Sequence, residues 1–467
     1  MSEERARRWT TRWVWFVWAA SLVLMAVKFA ADETNDPLAE DWLIVPALTG
    51  TEPDFGGWLW SQNNEHRVPV SRLLMLGILH ATGGLFLAIG WCNLALLAAM
   101  SAGLLVVAKR LRGRPDVADA FFSLLLLNWG HSVHVLFSFQ NTFLLPIAAV
   151  FLLGALFFRP ETLRRKRWAV LAGVALIILP LSGFVGLLFL PALGGMMGWV
   201  AWQAAREPGP GRVAGMVLGA GVVGAFAAGA VYFVGYETLW WNPPSPGWRL
   251  SARAALRVLA MGLGVSAEDR WGGFATAVVG LGLATVWCLA TAWRRGVAKG
   301  RTTVAWAGLF VFTTFGYAIA IGWGRAGWVP QFGIPSRYAL LVAPAMVSSF
   351  LAWTLCGGRI TQRWVPRGLA AALLVLLPWN TRAGDRYFAD WYREGMRGFH
   401  RELNAGVPVE DLAQRHGGFL YHAMSPEVLA EHMRKLRAAG VTPFDRAAER
   451  WTGLRPEAES GSASAQK

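Results

Sequence analysis

Charge is scarce in this chain. Of its 467 residues only 16% are Asp, Glu, Lys or Arg, while 55% are apolar and the mean hydropathy is +0.38. Apolar runs near membrane-spanning length recur throughout, which argues against one large soluble core and for a polytopic membrane protein. Cysteine is scarcer still. Cys92, Cys288 and Cys356 stand singly in or beside apolar segments, so neither a disulfide framework nor a thiolate metal site is indicated, and small buried hydrophobes are the expected role. A P-loop lysine and hydroxyl pair is missing as well. The glycine-rich stretches "GGMMG" and "GAGVVGAFAAGA" lie inside apolar runs, where close helix packing accounts for them better than nucleotide binding does.

Acidic residues are few relative to basic ones, 29 against 44, and the net charge of +15 raises nucleic acid as a partner. The placement of the basic residues excludes it. Most of them fill short gaps between apolar runs, as positive-inside sorting requires. Candidate spans are 13–30, 84–108, 117–134, 141–158, 168–183, 187–203, 213–234, 271–292, 303–322, 338–356 and 367–379. With residues 1–12 in the cytoplasm, the cytoplasmic segments hold 22 Lys or Arg against 8 opposite, a bias that sets the orientation. The first span is expected to be a signal anchor, since "FAADETND" lacks a small-x-small cleavage site.

The expected fold is therefore all-α and polytopic, with about eleven transmembrane helices. The membrane domain covers 13–379 and has a first extracytoplasmic loop at 31–72. A small extracytoplasmic C-terminal region follows at 380–455, with a disordered tail at 456–467. Three stretches depart from simple spans. Leu73–Gly83 is expected along the interface or as a helix extension. Trp168–Trp202 is one tilted helix or two, and charge parity favours two. Arg249–Gly264 carries Arg249, Arg253 and Arg257 on one helical face, which suits an interfacial helix. In the tail, Glu427–Val441 has amphipathic spacing behind an "SPE" start signal.

Polar clusters gather on the outer side. The first loop concentrates Asp32, Glu33, Asp36, Glu40, Asp41, Glu52, Asp54 and Glu65, and "SQNNEHRVPVSRLL" adds His66, Arg67 and Arg72. Further on come His131, His134 and Gln140, and then Arg325 and Arg337 beside Ser336 and Tyr338. Acids on one membrane face can take a proton from an attacking hydroxyl, and arginines there can hold a phosphate leaving group. The bland reading sets solvated loop acids, a salt-bridged helix cap at Glu65–Arg67 and packed histidines against that chemistry. No third ligand joins His131 and His134 in a zinc motif.

Taken in order, Glu40-Asp41-Trp42, Asn63-Asn64-Glu65-His66-Arg67, Phe139-Gln140 and Ser336-Arg337-Tyr338 resemble the motif series of the GT-C superfamily of polytopic glycosyltransferases, and of bacterial membrane proteins related to it. The resemblance covers roughly residues 13–390. Where that family commonly has Asp-Asp, this chain has Glu40-Asp41, so which acid is the base stays open. The resemblance implies a multi-pass protein of the bacterial cytoplasmic (inner) membrane that transfers a sugar from a polyprenyl-phosphate donor to an extracytoplasmic glycan, lipid or protein acceptor. It implies Asp41, with Glu40 as alternative, as catalytic base, and Arg337, Arg325, Arg67 and His66 around the donor phosphate. Glu65, Gln140 and Tyr338 are supporting residues. Some relatives use a divalent cation and others do not. Two other functions compete: a transporter or flippase for a lipid-linked or anionic solute, and an envelope assembly scaffold.

Overall fold

Hydrocarbon offers a peptide group no solvent partner, so long apolar stretches pair their backbones internally as helices. A computed structural model describes residues 3–158, 160–238, 243–296 and 300–447. The fold is all-α, and its one strand-like pairing among the described residues is a bridge between Asn63 and His66. Eight described helices are long and apolar enough to cross a bilayer: Glu4–Asp32, Phe86–Arg112, Ser138–Phe157, Phe184–Arg206, Pro210–Tyr232, Val265–Arg295, Gly300–Gly324 and Tyr338–Cys356. This is a polytopic membrane protein.

Three of the expected spans are not among these eight. Residues 117–134 do not make one helix; they break into Ala120–Leu126 and Ser132–Leu136, with 3₁₀ turns before each. Asn128 drives the break: its Nδ2 donates to the Leu124 and Leu125 carbonyls, and its Oδ1 accepts from the Gly130 amide. Residues 168–183 fall in the 16-residue helix Lys166–Leu181. At 1.5 Å per residue that is about 24 Å, short of a ~30 Å hydrocarbon core. Residues 367–379 lie within Thr361–Gly384, which carries Arg363, Arg367 and Arg382 toward its ends.

The stretch 168–202 is two helices. They meet at Gly183, whose φ of +101° is open to glycine and strained for any side chain. Leu73–Gly83 belongs to a separate helix, Pro69–Thr82, closed by left-handed Gly83. The arginine-bearing stretch forms Trp248–Ala260, with Trp248, Leu250 and Leu256 exposed and Ala254, Val258 and Leu259 buried.

At the centre stands Tyr338–Cys356, buried along all 19 residues. It packs against the 86–112, 141–157, 271–295, 300–324 and 361–384 helices. Phe350 lies between Phe121 and Phe122 at ring separations of 4.8 and 4.7 Å. Thr314 and Ser348 share a hydroxyl hydrogen bond of 2.9 Å, and Trp353 Nε1 donates to Thr285 Oγ1 at 3.1 Å.

Beyond Gly384 the last long helix passes through a wide turn at 385–389 into Asp390–Asn404, followed by Val409–Tyr421 and Pro426–Ala438. Ser425 accepts from the Val428 amide and starts the final helix, as its sequence suggests. These helices are bound to the start of the first loop. Arg393 forks onto both Asp32 oxygens at 2.8 Å, His400 Nε2 meets Asp36 at 2.6 Å, and Lys28 pairs with Asp385 at 3.0 Å. The first loop and the C-terminal helices therefore lie on one end of the bundle. The tail at 456–467 lies outside the described residues.

Small residues set the closest approach. A Cβ on Gly221 would sit 2.4 Å from the Gly173 Cα, whereas one on Gly280 meets nothing within 4 Å. Gly221→Ala is expected to push the 166–181 and 210–232 helices apart at a cost of about 1–3 kcal/mol. Gly280→Ala should be neutral or stabilising. Melting temperatures of the two variants in one detergent decide the point, and equal values would remove the packing role from Gly221.

Candidate functional site

The loop string 61–74 is folded by its own polar groups. Asn63 and His66 exchange backbone hydrogen bonds of 2.7 and 2.9 Å, and Asn64 takes the left-handed conformation at the tip with φ of +50°. Tyr232 Oη donates to the Glu65 carbonyl at 2.7 Å and so ties this hairpin to the end of the 210–232 helix. Arg67 is buried, and its guanidinium donates to the Trp60, Val234 and Gly235 carbonyls at 2.9, 3.0 and 2.7 Å. Arg72 does the same work for the Trp58, Leu59 and Ser61 carbonyls. Arg67 thus ties the end of the Phe55–Trp60 helix to the residues after the 210–232 helix, and Arg72 collects carbonyls at the close of Phe55–Trp60.

What remains free of that task faces a cavity of about 270 Å³, lined by Glu65, His66, Phe143, Phe184, Arg325 and Tyr338 among others. Glu65 and Arg325 form an ion pair across it. The His66 Nδ1 accepts from the Phe184 amide at 3.2 Å, which leaves the proton on Nε2, 3.4 Å from Glu65 Oε1. Burial, assisted by the Arg337 charge and opposed by that of Glu40, lowers the His66 pKa to about 4. A neutral imidazole therefore stands beside the Glu65 carboxylate. Arg337 is half-buried, lies 5.8 Å from the Tyr338 ring and makes no ion pair among the described residues.

The two loop acids have different surroundings. Asp41 is 1% exposed and caps its own turn, with Oδ2 accepting from the Leu38 amide at 3.2 Å. Burial pushes its carboxyl well above the usual range, and the neighbouring Glu40 adds to that, against the amides of Leu38, Phe139 and Ser138. Glu40 is half-buried, and its charge is felt by both His66 and Tyr421. Glu65, His66, Arg325 and Tyr338 are thus brought together, with Arg337 and Glu40 beside them. Asp41, Arg67 and Gln140 stand apart. Arg67 was expected at a phosphate; its two terminal nitrogens donate to backbone carbonyls, and its buried Nε has no hydrogen-bond partner. Gln140 is 2% exposed and does not line the cavity.

Sequence reasoning missed Tyr232, which fixes the hairpin, and Tyr421, which the C-terminal helices deliver to Glu40; an isolated tyrosine in a sequence carries no signal for either. His131 and His134 are buried with rings 5.2 Å apart, and His131 Nε2 meets the Leu125 carbonyl at 3.0 Å. Among the described residues no three His, Cys, Asp or Glu side chains converge where they could hold a metal ion. Cys288 and Cys356 are buried and Cys92 half-buried, all as free thiols.

The chain matches no protein-family model, no curated protein and no solved structure.

The neutral state of His66 makes a pH prediction. An unfolded histidine takes its proton near 6.5, whereas folded His66 stays neutral down to about 4. Between those values the unfolded chain binds more protons, so this group's contribution is full above pH 6.5 and is lost as pH falls toward 4. Melting temperature should drop with acidification across that window, and His66→Gln should flatten the drop. An identical pH profile in the variant would show that His66 titrates normally.

Proposed function

We propose that this protein transfers a sugar from a polyprenyl-phosphate-linked donor to an acceptor on the extracytoplasmic face of a bacterial inner membrane, in the manner of the GT-C superfamily its motifs resemble. One observation carries the reading. Arg325, with Glu65 and a neutral His66 from the first loop, meets the apolar flanks of the 184–206, 300–324 and 338–356 helices at a single cavity, and the Arg337 charge reaches His66 there. A lipid phosphate needs that combination: directed N–H donors for the charged oxygens and an apolar wall for the chain attached to them.

Within this reading Arg337, which has no carboxylate partner, binds the donor phosphate, and Arg325 joins it by exchanging Glu65 for a phosphate oxygen. His66 orients Glu65 through its Nε2 proton. Glu40 is the base. It accepts the proton as the acceptor oxygen bonds to the anomeric carbon, and the bond from that carbon to the phosphate oxygen breaks with its electron pair leaving on the polyprenyl phosphate. The arginines stabilise that leaving charge. Asp41 is a positioning residue, since its carboxyl caps the turn that presents Glu40. Arg67 and Tyr232 hold the hairpin that presents Glu65.

Purified protein with labelled polyprenyl-phosphate sugar tests the assignments. Glu40→Gln should lower kcat by about 10²–10⁴. Asp41→Asn keeps an acceptor for the Leu38 amide and should retain most activity. Arg337→Ala should lower kcat/KM by about 10²–10³. A larger loss in Asp41→Asn than in Glu40→Gln would reverse the two acids. Movement of the lipid-linked sugar across a vesicle membrane, with no transfer to any acceptor, would replace the enzyme by a transporter.

A further inference from the structure

A second site lies on the lipid-facing surface, away from the cavity and independent of the proposed reaction. A cavity of about 570 Å³ opens between the Trp271–Arg295 and Thr361–Gly384 helices. Its walls are Leu263, Phe274, Ala277, Ala372, Val375 and Leu376 with their small neighbours, and the one charged side chain lining it is Arg270. From Arg270 to Ala277 the helix descends roughly 10 Å, about a third of a ~30 Å hydrocarbon core. The groove therefore reaches into one leaflet only.

The connection over this groove is held rigidly. Buried Asn380 accepts from the Ser266 amide and hydroxyl at 3.1 and 2.7 Å and donates to the Leu263 carbonyl at 3.0 Å. Gly264, at φ of +109°, lies so close to Asn380 that a Cβ would stand 2.1 Å from its Nδ2. Asn380 thereby fixes the turn 261–270 to the 361–384 helix and sets the width of the gap beneath it. Charge in the turn is otherwise spent. Glu268 pairs with Arg257, and Asp269 is taken by Arg386 and by the Tyr387 hydroxyl, at 2.5 and 2.6 Å. Arg270 is left exposed, with no ion pair among the described residues. A second cation, Arg253, lies 5.3 Å from the ring of Trp271, the residue after Arg270.

The geometry points to a binding site for an anionic phospholipid of the leaflet on the first-loop side, with its phosphate on Arg270 and the upper part of one acyl chain between Phe274 and Leu376. Charge complementarity selects this occupant. A neutral lipid fills the apolar groove equally well but leaves a guanidinium at the water–lipid boundary without its anion, whereas a phosphate there supplies it. The groove takes a chain that ends within a leaflet, so a phospholipid fits its depth.

Full-length protein is reconstituted in vesicles of equal parts phosphatidylcholine and phosphatidylglycerol, each in turn carrying a photoactivatable acyl chain, and cross-linked residues are mapped. Phosphatidylglycerol should label Phe274, Ala277 or Leu376 in preference to phosphatidylcholine, and Arg270→Ala should cut that preference about fivefold, the effect of one cation at an anionic surface. Ala372→Trp, which fills the groove, should abolish labelling there. Arg270 is exposed, so its variant tests the site even if the Trp variant fails to fold. Equal labelling by the two lipids, an unchanged preference in Arg270→Ala, or displacement of phosphatidylglycerol by added polyprenyl phosphate would each overturn the assignment.

Discussion

A helix that breaks inside a membrane protein exposes amides and carbonyls that lipid cannot satisfy, and residues 117–141 break twice, at 127–128 and at 137. Such backbone is tolerated only where protein surrounds it, and here every residue from 118 to 142 is buried. Side chains do the pairing that a continuous helix would have done. Asn128 serves two carbonyls and one amide, His131 meets the Leu125 carbonyl, and Ser132 donates to the Gly384 carbonyl. Asn93 reaches across from its own helix to the His134 and Ser138 carbonyls at 3.0 and 3.2 Å. Removing these polar groups would leave a stretch of unpaired peptide groups at the middle of the bundle, each costing several kcal/mol in hydrocarbon.

The same segment connects the parts of the candidate site. Its Ser138 and Phe139 amides face the Asp41 carboxyl, and His134 lies against the backbone of Arg337. Trp129 donates to Asp385 at 2.7 Å, the carboxylate that also takes Lys28, so the first helix, the broken segment and the C-terminal helices meet at one point. Gly384 approaches so closely that a Cβ there would stand 2.0 Å from the Trp129 carbonyl oxygen. A loop of about forty residues would ordinarily be mobile; this one is pinned at Asp32, Asp36, Asp41 and Arg67.

Hydropathy made the long helices legible, because spanning length and composition are local properties. The same holds for the helix at 248–260 and for the helix behind Ser425. The break at 128 was not legible, since "FFSLLLLNWGHSVHVLF" is as apolar as its neighbours and the decision rests on whether other helices enclose it. In the loop, motif order singled out Glu65, His66, Arg325 and Tyr338, which line one cavity, but not which partner each residue takes. Arg67 and Arg325 are the same residue type on the same face. One finds carbonyls at 234 and 235 and the other finds Glu65, and no spacing within the loop distinguishes them. Glu40 and Asp41 are adjacent in sequence and opposite in exposure, because a 3₁₀ turn sends neighbouring side chains about 120° apart.

That separation bears on the chemistry. A carboxylate that must take up and release a proton during turnover needs contact with the acceptor and a pKa near working pH. Asp41 is held above the usual range by burial, yet it is walled off and engaged with its own turn. Glu40 is only half-buried, and its charge reaches Tyr421 and His66. Under the proposed reaction the leaving phosphate is negative while Glu40 must also be negative to accept a proton. Like charges that close would raise the cost of binding unless cations stand between them. The charges of Arg337 and Glu40 both reach His66, with opposite effect on its protonation. Keeping that imidazole neutral matters most for Glu65: a protonated His66 would draw that carboxylate, 3.4 Å from its Nε2, away from Arg325. Under the proposed reaction, burial of His66 therefore keeps Glu65 and Arg325 paired until a phosphate displaces the carboxylate.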